Sequence, residues 1–191
     1  MWTKLIAAEG MAERVRRAGR QIAEDYVGRD LHLVGLLQGA MYFLADLARA
    51  IPAPIEVATM RVKSYAGMES SGRVELVADC EAGVAGRDVL IVDDIYDSGR
   101  TLSFVGELMR SRGARSVEFA CLLVKDAPRV EPVEVKYGLF AIPNVFVVGA
   151  GLDLGGLGRN LPDVWALEAG VPAEEGLAGL RRQFPALAER A

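Results

Sequence analysis

Short apolar runs and amphipathic segments alternate along the chain. The runs, such as Val89–Val92 and Phe119–Val124, contain no charged residue, which is typical of strands buried on both faces of a parallel sheet. The segments between them carry apolar residues every three or four positions, as amphipathic helices do. This alternation predicts an α/β fold with a mostly parallel central sheet flanked by helices.

The same periodicities place the individual elements. A first helix is predicted from the apolar residues Met11, Val15, Ala18, Ile22 and Tyr26. Strands are predicted over residues 31–37, 55–64, 73–77, 88–92, 117–124 and 144–148. Further helices are predicted through residues 47–50, before Gly113, and in an Ala- and Leu-rich tail over 171–191. The chain has 191 residues, so we expect residues 1–191 to form a single domain that includes the tail.

Composition narrows the classes of partner. Although 51% of the residues are hydrophobic, no apolar run approaches the roughly 18 residues of a membrane-spanning helix, so no membrane partner is expected. The first residues lack the pattern of a signal peptide, which predicts a cytoplasmic location. The net charge of −4 disfavours nucleic acid as a partner, because phosphate backbones bind basic faces. Cys80 and Cys121 have no metal-ligand spacing.

A dense group of polar side chains follows the apolar run Val89–Val92. Asp93 and Asp94 come directly after the run, and Asp97 opens a short turn. The turn continues with Ser98, Gly99, Arg100 and Thr101. Apolar positions then recur at helical spacing, so the turn is predicted to join the end of a buried strand to the start of a helix.

A strand-to-helix turn of this composition suits a phosphate. The first N–H groups of a helix lack backbone partners, and the helix dipole favours an anion there. Ser98 and Thr101 add hydroxyl groups, and Gly99 lets the backbone approach a ligand closely. Asp93 and Asp94 stand beside this cradle, where their carboxylates can accept hydrogen bonds from sugar hydroxyls. The segment therefore predicts a site for a phosphorylated ribose.

Two other interpretations of these acidic residues stay open. Carboxylates at the end of a parallel strand also occur in the metal sites of receiver domains and of phosphatases. Asp97 by itself could cap the following helix, since Asp is a preferred N-cap residue. Packing or capping explains any single residue of the group more easily than it explains the whole combination.

Four predicted strand ends carry residues that can do chemistry. They are residues 37–39, residues 93–101, Lys125 and residues 149–159. Ligands of α/β sheets bind at the carboxyl ends of the strands. We therefore expect these four segments to meet in one site.

The order of Asp93, Asp94, Asp97 and the Ser-Gly-Arg-Thr turn resembles the signature of type I phosphoribosyltransferases, which bind 5-phosphoribosyl 1-pyrophosphate (PRPP). The position of Asp97, three residues after Asp94, resembles the hypoxanthine-guanine branch. The resemblance implies the type I fold, with a small hood built from terminal segments. It also implies Mg²⁺-dependent transfer of phosphoribose from PRPP to a 6-oxopurine base, and a homodimer or homotetramer.

The resemblance assigns expected roles to several residues. Phe146 matches the ring that stacks on the purine, Val147 the residue whose backbone reads the base edge, and Lys125 the lysine that donates to the 6-oxo group. Asp153 matches the residue that helps to hold Mg²⁺, and Arg159 the arginine that contacts pyrophosphate.

Three further assignments follow from the same resemblance. Asp97 matches the residue that accepts the purine proton, Gln38 and Gly39 the pyrophosphate loop, and Ser64 and Tyr65 the start of a lid. The chain departs from the family pattern at three positions: relatives carry Lys or Arg in place of Gln38, and aromatic residues in place of Ala150 and Leu154. A regulatory protein that binds PRPP or a nucleotide without catalysis stays an alternative, as does a transferase for xanthine.

Overall fold

The computed structural model describes residues 1–64, 74–80 and 83–185. Its helices are α1 (Ala8–Asp25), α2 (Met41–Ala50), α3 (Arg100–Ser111) and α4 (Ala173–Gln183). Its strands are β1 (Trp2–Ile6), β2 (Leu31–Leu37), β3 (Glu56–Ser64), β4 (Val74–Ala78), β5 (Asp88–Tyr96), β6 (Ser116–Asp126), β7 (Tyr137–Pro143), β8 (Val147–Val148) and β9 (Val164–Leu167).

In the described residues, six strands form the central sheet in the order β4-β3-β2-β5-β6-β7. All neighbours are parallel except β3 and β4, which confirms the predicted mostly parallel sheet. The apolar run of β5 is fully buried, and its side chains alternate between two cores. Leu90 and Val92 pack with the residues of α1 and α2, whereas Val89 and Ile91 pack with those of α3. Helices therefore cover both faces of the sheet.

The chain termini build the expected hood. Strands β1, β9 and β8 form a small antiparallel sheet in the described part of the chain, and α4 packs on it through the buried Leu180. This helix lies within the tail predicted over 171–191, of which residues 186–191 are outside the described ranges. None of the helices that the structure describes is long and apolar enough to cross a membrane.

Several strands differ from the sequence prediction. Strand β5 continues to Tyr96, so Asp93 and Asp94 lie within the strand. The strand predicted over 144–148 is reduced to Val147–Val148, while the unpredicted β7 precedes it. The edge strand β7 has exposed or half-buried residues between its buried ones, so it lacks the continuous apolar run of the inner strands. Strands β1 and β9 were also unpredicted, because such short segments show no clear periodicity.

His32, the single histidine of the sequence, is fully buried in β2. Neither ring nitrogen has a hydrogen-bond partner among the described residues, and Glu56 Oε2 is 3.8 Å from Nδ1, beyond hydrogen-bond range. Burial lowers the pKa of His32, and the charge of Arg87 lowers it further. The carboxylates of Glu56 and Asp30 raise this pKa, but the net shift is downward. The ring is therefore neutral at neutral pH.

This burial makes stability depend on pH. An unfolded histidine has a pKa of about 6.5, so below that pH the unfolded chain binds a proton that the folded chain resists. We expect the urea midpoint to be highest above pH 6.5 and to fall toward pH 5.5. His32→Leu is the control: its midpoint should lose this component of the pH dependence. An equal slope in both proteins would show that His32 does not cause it.

Candidate active site

A cavity of about 450 Å³ opens at the carboxyl ends of β2 and β5, beside the start of α3. Most of its walls come from the segment that the sequence singled out. The lining residues are Leu36, Leu37, Gly39, Val62, Asp93, Asp94, Ile95, Tyr96, Asp97, Ser98, Gly99, Arg100, Thr101 and Leu102. The acidic pair, the turn and Gly39 therefore border one space, which unites two of the four predicted segments; Lys125 and residues 149–159 do not line it.

Residues 97–101 are here called the anion loop; the last two of them are the first two residues of α3. The N-cap residue is Gly99, with φ of 88°, and no side chain caps the helix. The alternative in which Asp97 caps the helix is therefore wrong. Because no side chain occupies the first-turn N–H groups, they and the positive end of the helix dipole are available to an anionic ligand.

The anion loop is held from outside by the segment that follows β6. The carbonyl of Ser98 accepts hydrogen bonds from the N–H groups of Val130 (3.0 Å) and Glu131 (3.1 Å). A Cβ atom at Gly99 would lie 1.8 Å from the carbonyl oxygen of Glu131. Both this close approach and the positive φ require glycine at this position.

The two adjacent carboxyls of β5 lie in a poorly solvated setting. Asp93 is buried, and the N–H of Asp94 donates to its Oδ1 at 3.0 Å. Burial raises the pKa of Asp93 well above its usual range, and the neighbouring Asp94 raises it further. Burial also raises the pKa of Asp94, although hydrogen bonds and the Arg159 charge oppose this. Both shifts have the same main cause, because burial leaves the charged form of each carboxyl poorly solvated.

Two residues chosen separately from the sequence form an ion pair. Lys125 Nζ donates to Asp97 Oδ2 at 2.7 Å. The lysine side chain is 12% exposed, while that of Asp97 is 51% exposed. Strand β6 brings the lysine here because it is the parallel neighbour of β5, with Tyr96 opposite Val124. The ammonium therefore lies at the rim of the anion loop, where it can also face a ligand.

The loop after β2 fits tightly between two other segments. A Cβ atom at Gly39 would lie 1.8 Å from Asp94 Oδ2, and one at Gly151 would lie 2.0 Å from the carbonyl oxygen of Gly39. The peptide bond between Leu37 and Gln38 is cis. Gln38 itself is exposed and does not line the cavity. The expected pyrophosphate loop thus contacts the acidic pair through Gly39.

Asp153 and Arg159 are ion-paired with each other. The guanidinium of Arg159 also donates to the carbonyl of Gly151, and Asp153 Oδ2 accepts from the N–H of Gly156 at 2.8 Å. The Gly151 N–H in turn donates to the Arg159 carbonyl at 3.0 Å. These contacts close the glycine-rich loop on itself, and the loop meets Gly39 through Gly151.

Two of the three predicted base-binding residues, Phe146 and Val147, lie at the hood, whereas Lys125 lies on β6 of the central sheet. Phe146 is 45% exposed, and its carbonyl accepts a hydrogen bond from Leu167 N–H at 2.8 Å. Val147 of β8 is buried and is paired with Ala166 of β9. Its side chain is therefore unavailable, and only its backbone could contact a base. Among the described residues, no hydrogen bond or ring contact joins Phe146 to Lys125 or Asp97. Ser64 is the last residue of β3, and Tyr65 lies outside the described residues.

The sequence and the fold were also compared with those of known proteins. A profile of the phosphoribosyl transferase domain family matches residues 1–154. The hypoxanthine-guanine phosphoribosyltransferase of Lactococcus lactis subsp. lactis is 41% identical over 165 residues, which are 86% of this chain and 90% of that protein. The chain belongs to the hypoxanthine-guanine phosphoribosyltransferase family.

Two further relatives define how far the likeness extends. A crystal structure of a hypoxanthine phosphoribosyltransferase from Staphylococcus aureus superposes with a TM-score of 0.82 at 38% identity, over 87% of this chain and 91% of that one. The bifunctional protein TilS/HprT of Listeria innocua is 43% identical over 89% of this chain, which corresponds to 26% of that protein. The chain thus spans about a quarter of the bifunctional relative.

The sequence did not single out one aromatic residue that lines this cavity, Tyr96. The Tyr96 hydroxyl donates to the Val133 carbonyl (3.0 Å) and accepts from its N–H (2.9 Å). Arg129 lies over the Tyr96 ring at 4.3 Å and donates to the carbonyls of Ala127 and Lys125. This network ties the end of β6 to the end of β5. No sequence signal marks it, because an aromatic residue after a buried strand has the pattern of a core residue.

Proposed function

We propose that the chain transfers the 5-phosphoribosyl group from PRPP to a 6-oxopurine, hypoxanthine or guanine or both. The products are inosine or guanosine monophosphate and pyrophosphate, a purine-salvage reaction. Membership of the hypoxanthine-guanine family supports the reaction class. The observation that carries the assignment to this site is the Lys125–Asp97 pair of 2.7 Å at the edge of the anion loop.

The pair offers the two functions that a purine acceptor needs. An ammonium has three donors and no acceptor, so Lys125 favours a base with an oxygen at position 6 over adenine, which has an amino group there. Asp97 is half-exposed and can accept the proton that the purine nitrogen loses as the glycosidic bond forms. Such a positioned base contributes roughly 10²–10⁴ in rate.

The donor fits the rest of the cavity. We place the 5′-phosphate at the anion loop, on the free N–H groups of the first turn of α3, with the ribose hydroxyls on Asp93 and Asp94. Departure of pyrophosphate leaves positive charge on the ribose ring, as in glycoside cleavage. The buried carboxyls next to the ring suit that charge. We assign the pyrophosphate oxygens to Gly39 N–H and to the Arg159 guanidinium, whose charge acts on Asp94 beside Gly39.

The proposal includes Mg²⁺ as the cofactor. Among the described residues no three His, Cys, Asp or Glu side chains are grouped tightly enough to hold a metal alone. Mg²⁺ commonly binds one or two carboxylates and completes its shell with substrate phosphates and water, and Asp153 supplies such a carboxylate near Gly39. Bound there, the ion would neutralise developing charge on the pyrophosphate oxygens. Asp153 would exchange its present contact with Arg159 for the metal.

A panel of nucleobases with PRPP and Mg²⁺ tests the function directly. We expect pyrophosphate release with hypoxanthine or guanine and none with adenine. Release with xanthine alone would replace the acceptor but keep the reaction class. Binding of PRPP with no release for any base would favour the regulatory alternative. The proposal also includes a cytoplasmic location. It further includes a homodimer or homotetramer, and light scattering on the purified chain measures this oligomeric state.

Lys125→Met should weaken use of the purine more than use of the donor. A hydrogen bond to a charged group contributes about 1.5–3 kcal/mol, so we expect the KM for hypoxanthine to rise by roughly 10- to 100-fold. The KM for PRPP should change by less than about threefold on the same argument, because no donor contact is lost.

Lys136→Met is the matched control for this change. Its ammonium lies over the rings of Tyr26 and Tyr137, 5.3 and 5.4 Å from their centroids, and it does not line the site cavity. Steady-state kinetics with both variants compare the two lysines. An equal rise of both KM values in the Lys125 variant would contradict its role in reading the base.

A further inference from the structure

The ring of Phe146 is supported by a second aromatic residue from the other end of the chain. Trp2 lies edge-on to it, with ring centroids 6.4 Å apart and an interplanar angle of 62°. This separation and angle are those of a favourable edge-to-face pair. Trp2 is 4% exposed, whereas Phe146 is 45% exposed. Trp2 therefore supports one side of the phenyl ring while the ring keeps a large open surface.

The backbone links the same two residues through β9. Trp2 is paired with Leu167 in the antiparallel hood sheet, and Leu167 N–H donates to the Phe146 carbonyl at 2.8 Å. Backbone and ring of Phe146 are thus held by neighbouring parts of the same sheet. Phe146 lies between β7 and β8, outside both strands, and these contacts connect it to β1 and β9.

Helix α4 fixes the orientation of Trp2. The indole Nε1–H donates to the carbonyl of Gly176 at 2.8 Å, and a Cβ atom at Gly179 would lie 3.6 Å from Trp2 Cδ1. Leu180 of the same helix is fully buried and packs in the same core as Trp2. The tail helix therefore does more than cover the hood: it sets the position of the residue that supports Phe146.

We propose that Trp2, held by α4, is a positioning residue that presents the Phe146 ring to the purine and thereby sets the affinity for the base. The inference rests on the proposed function, in which Phe146 stacks on the purine. Without the indole, the half-exposed phenyl ring gains rotamers that cannot stack, so part of the base affinity is lost. The donor subsite at the anion loop has no contact with Trp2 among the described residues.

Two substitutions separate the ring contact from general packing. Trp2→Leu keeps apolar bulk but removes the aromatic edge, and we expect the KM for hypoxanthine to rise by roughly 3- to 10-fold. The KM for PRPP should stay within about twofold on the same reasoning, since the affected contact is aromatic and remote from the donor. Trp2→Phe retains a ring and should recover most of the base affinity.

Trp165→Leu is the matched control. Trp165 is the second tryptophan of the hood; it lies on β9 and contacts Phe184 edge-on at 5.2 Å, and no ring contact joins it to Phe146 among the described residues. We expect both of its KM values to stay at the wild-type level. An equal rise in the KM for hypoxanthine in the Trp2 and Trp165 variants would overturn the proposal, because general loosening of the hood would then explain both.

A fluorescence titration avoids any change at Trp2. In Trp165→Phe, Trp2 is the single tryptophan, since the sequence has two. We expect inosine monophosphate to change its emission saturably and pyrophosphate to leave it unchanged; no response to the nucleotide would overturn the proposal. If the wild type is active and the Trp2→Leu variant has the same KM for hypoxanthine, this inference alone is overturned. A wild type that transfers phosphoribose to no purine would overturn the proposed function and this inference together.

Discussion

We expect Asp97→Asn to lower kcat for the proposed phosphoribosyl transfer by roughly 10²–10⁴-fold, the usual contribution of a positioned general base. The amide keeps the size of the carboxylate but cannot take up the purine proton. The KM for PRPP should change little, because the proposed phosphate subsite consists of backbone N–H groups and hydroxyls of the anion loop. Steady-state kinetics with hypoxanthine as acceptor measure both parameters.

Asp126→Asn is the control for this substitution. Asp126 is an exposed carboxylate at the end of β6, one residue after Lys125, and it does not line the cavity. Its variant should keep the wild-type kcat. If Asp97→Asn also turned over at the wild-type rate, the residue would have no role in proton transfer, and the Lys125–Asp97 pair would serve to orient the lysine only.

Gly39→Ala should remove most of the activity through one added methyl group. Its Cβ would lie 1.8 Å from Asp94 Oδ2, so the loop after β2 or the acidic pair must move. The loop is also restrained on its other side by Gly151, whose own Cβ position is 2.0 Å from the Gly39 carbonyl oxygen. A displacement of about 1 Å costs about 10²-fold in rate. We expect that loss in kcat/KM for PRPP.

Gly10→Ala provides the comparison for Gly39. A Cβ at Gly10 in α1 meets no atom within 4 Å, and alanine is the better helix former. This variant should keep its activity and match or exceed the wild-type melting temperature. A Gly39→Ala enzyme with wild-type kcat/KM would show that the two loops and Asp94 can separate without affecting donor binding.

Local patterns predicted the central sheet and the anion loop well. Residues 89–92 form a continuous apolar run, and the following polar turn precedes a helical repeat, so one short stretch contains both the buried strand and its boundary. Asp93, Asp94 and residues 97–101 border the cavity because they lie at the end of this strand and at the start of the helix. Strands β1, β7 and β9 were missed because their apolar runs are short or interrupted, and such segments become strands only through pairing with distant partners.

The sequence by itself determined the parallel sheet, the anion loop and the identity of the charged groups, because each depends on residues close together along the chain. Only the tertiary structure decided which groups meet: Lys125 with Asp97, Gly39 with Asp94 and Gly151, and Trp2 with Phe146. The physical reason is that strand order and register bring together residues far apart in the chain. A single sequence carries no local signal for such contacts.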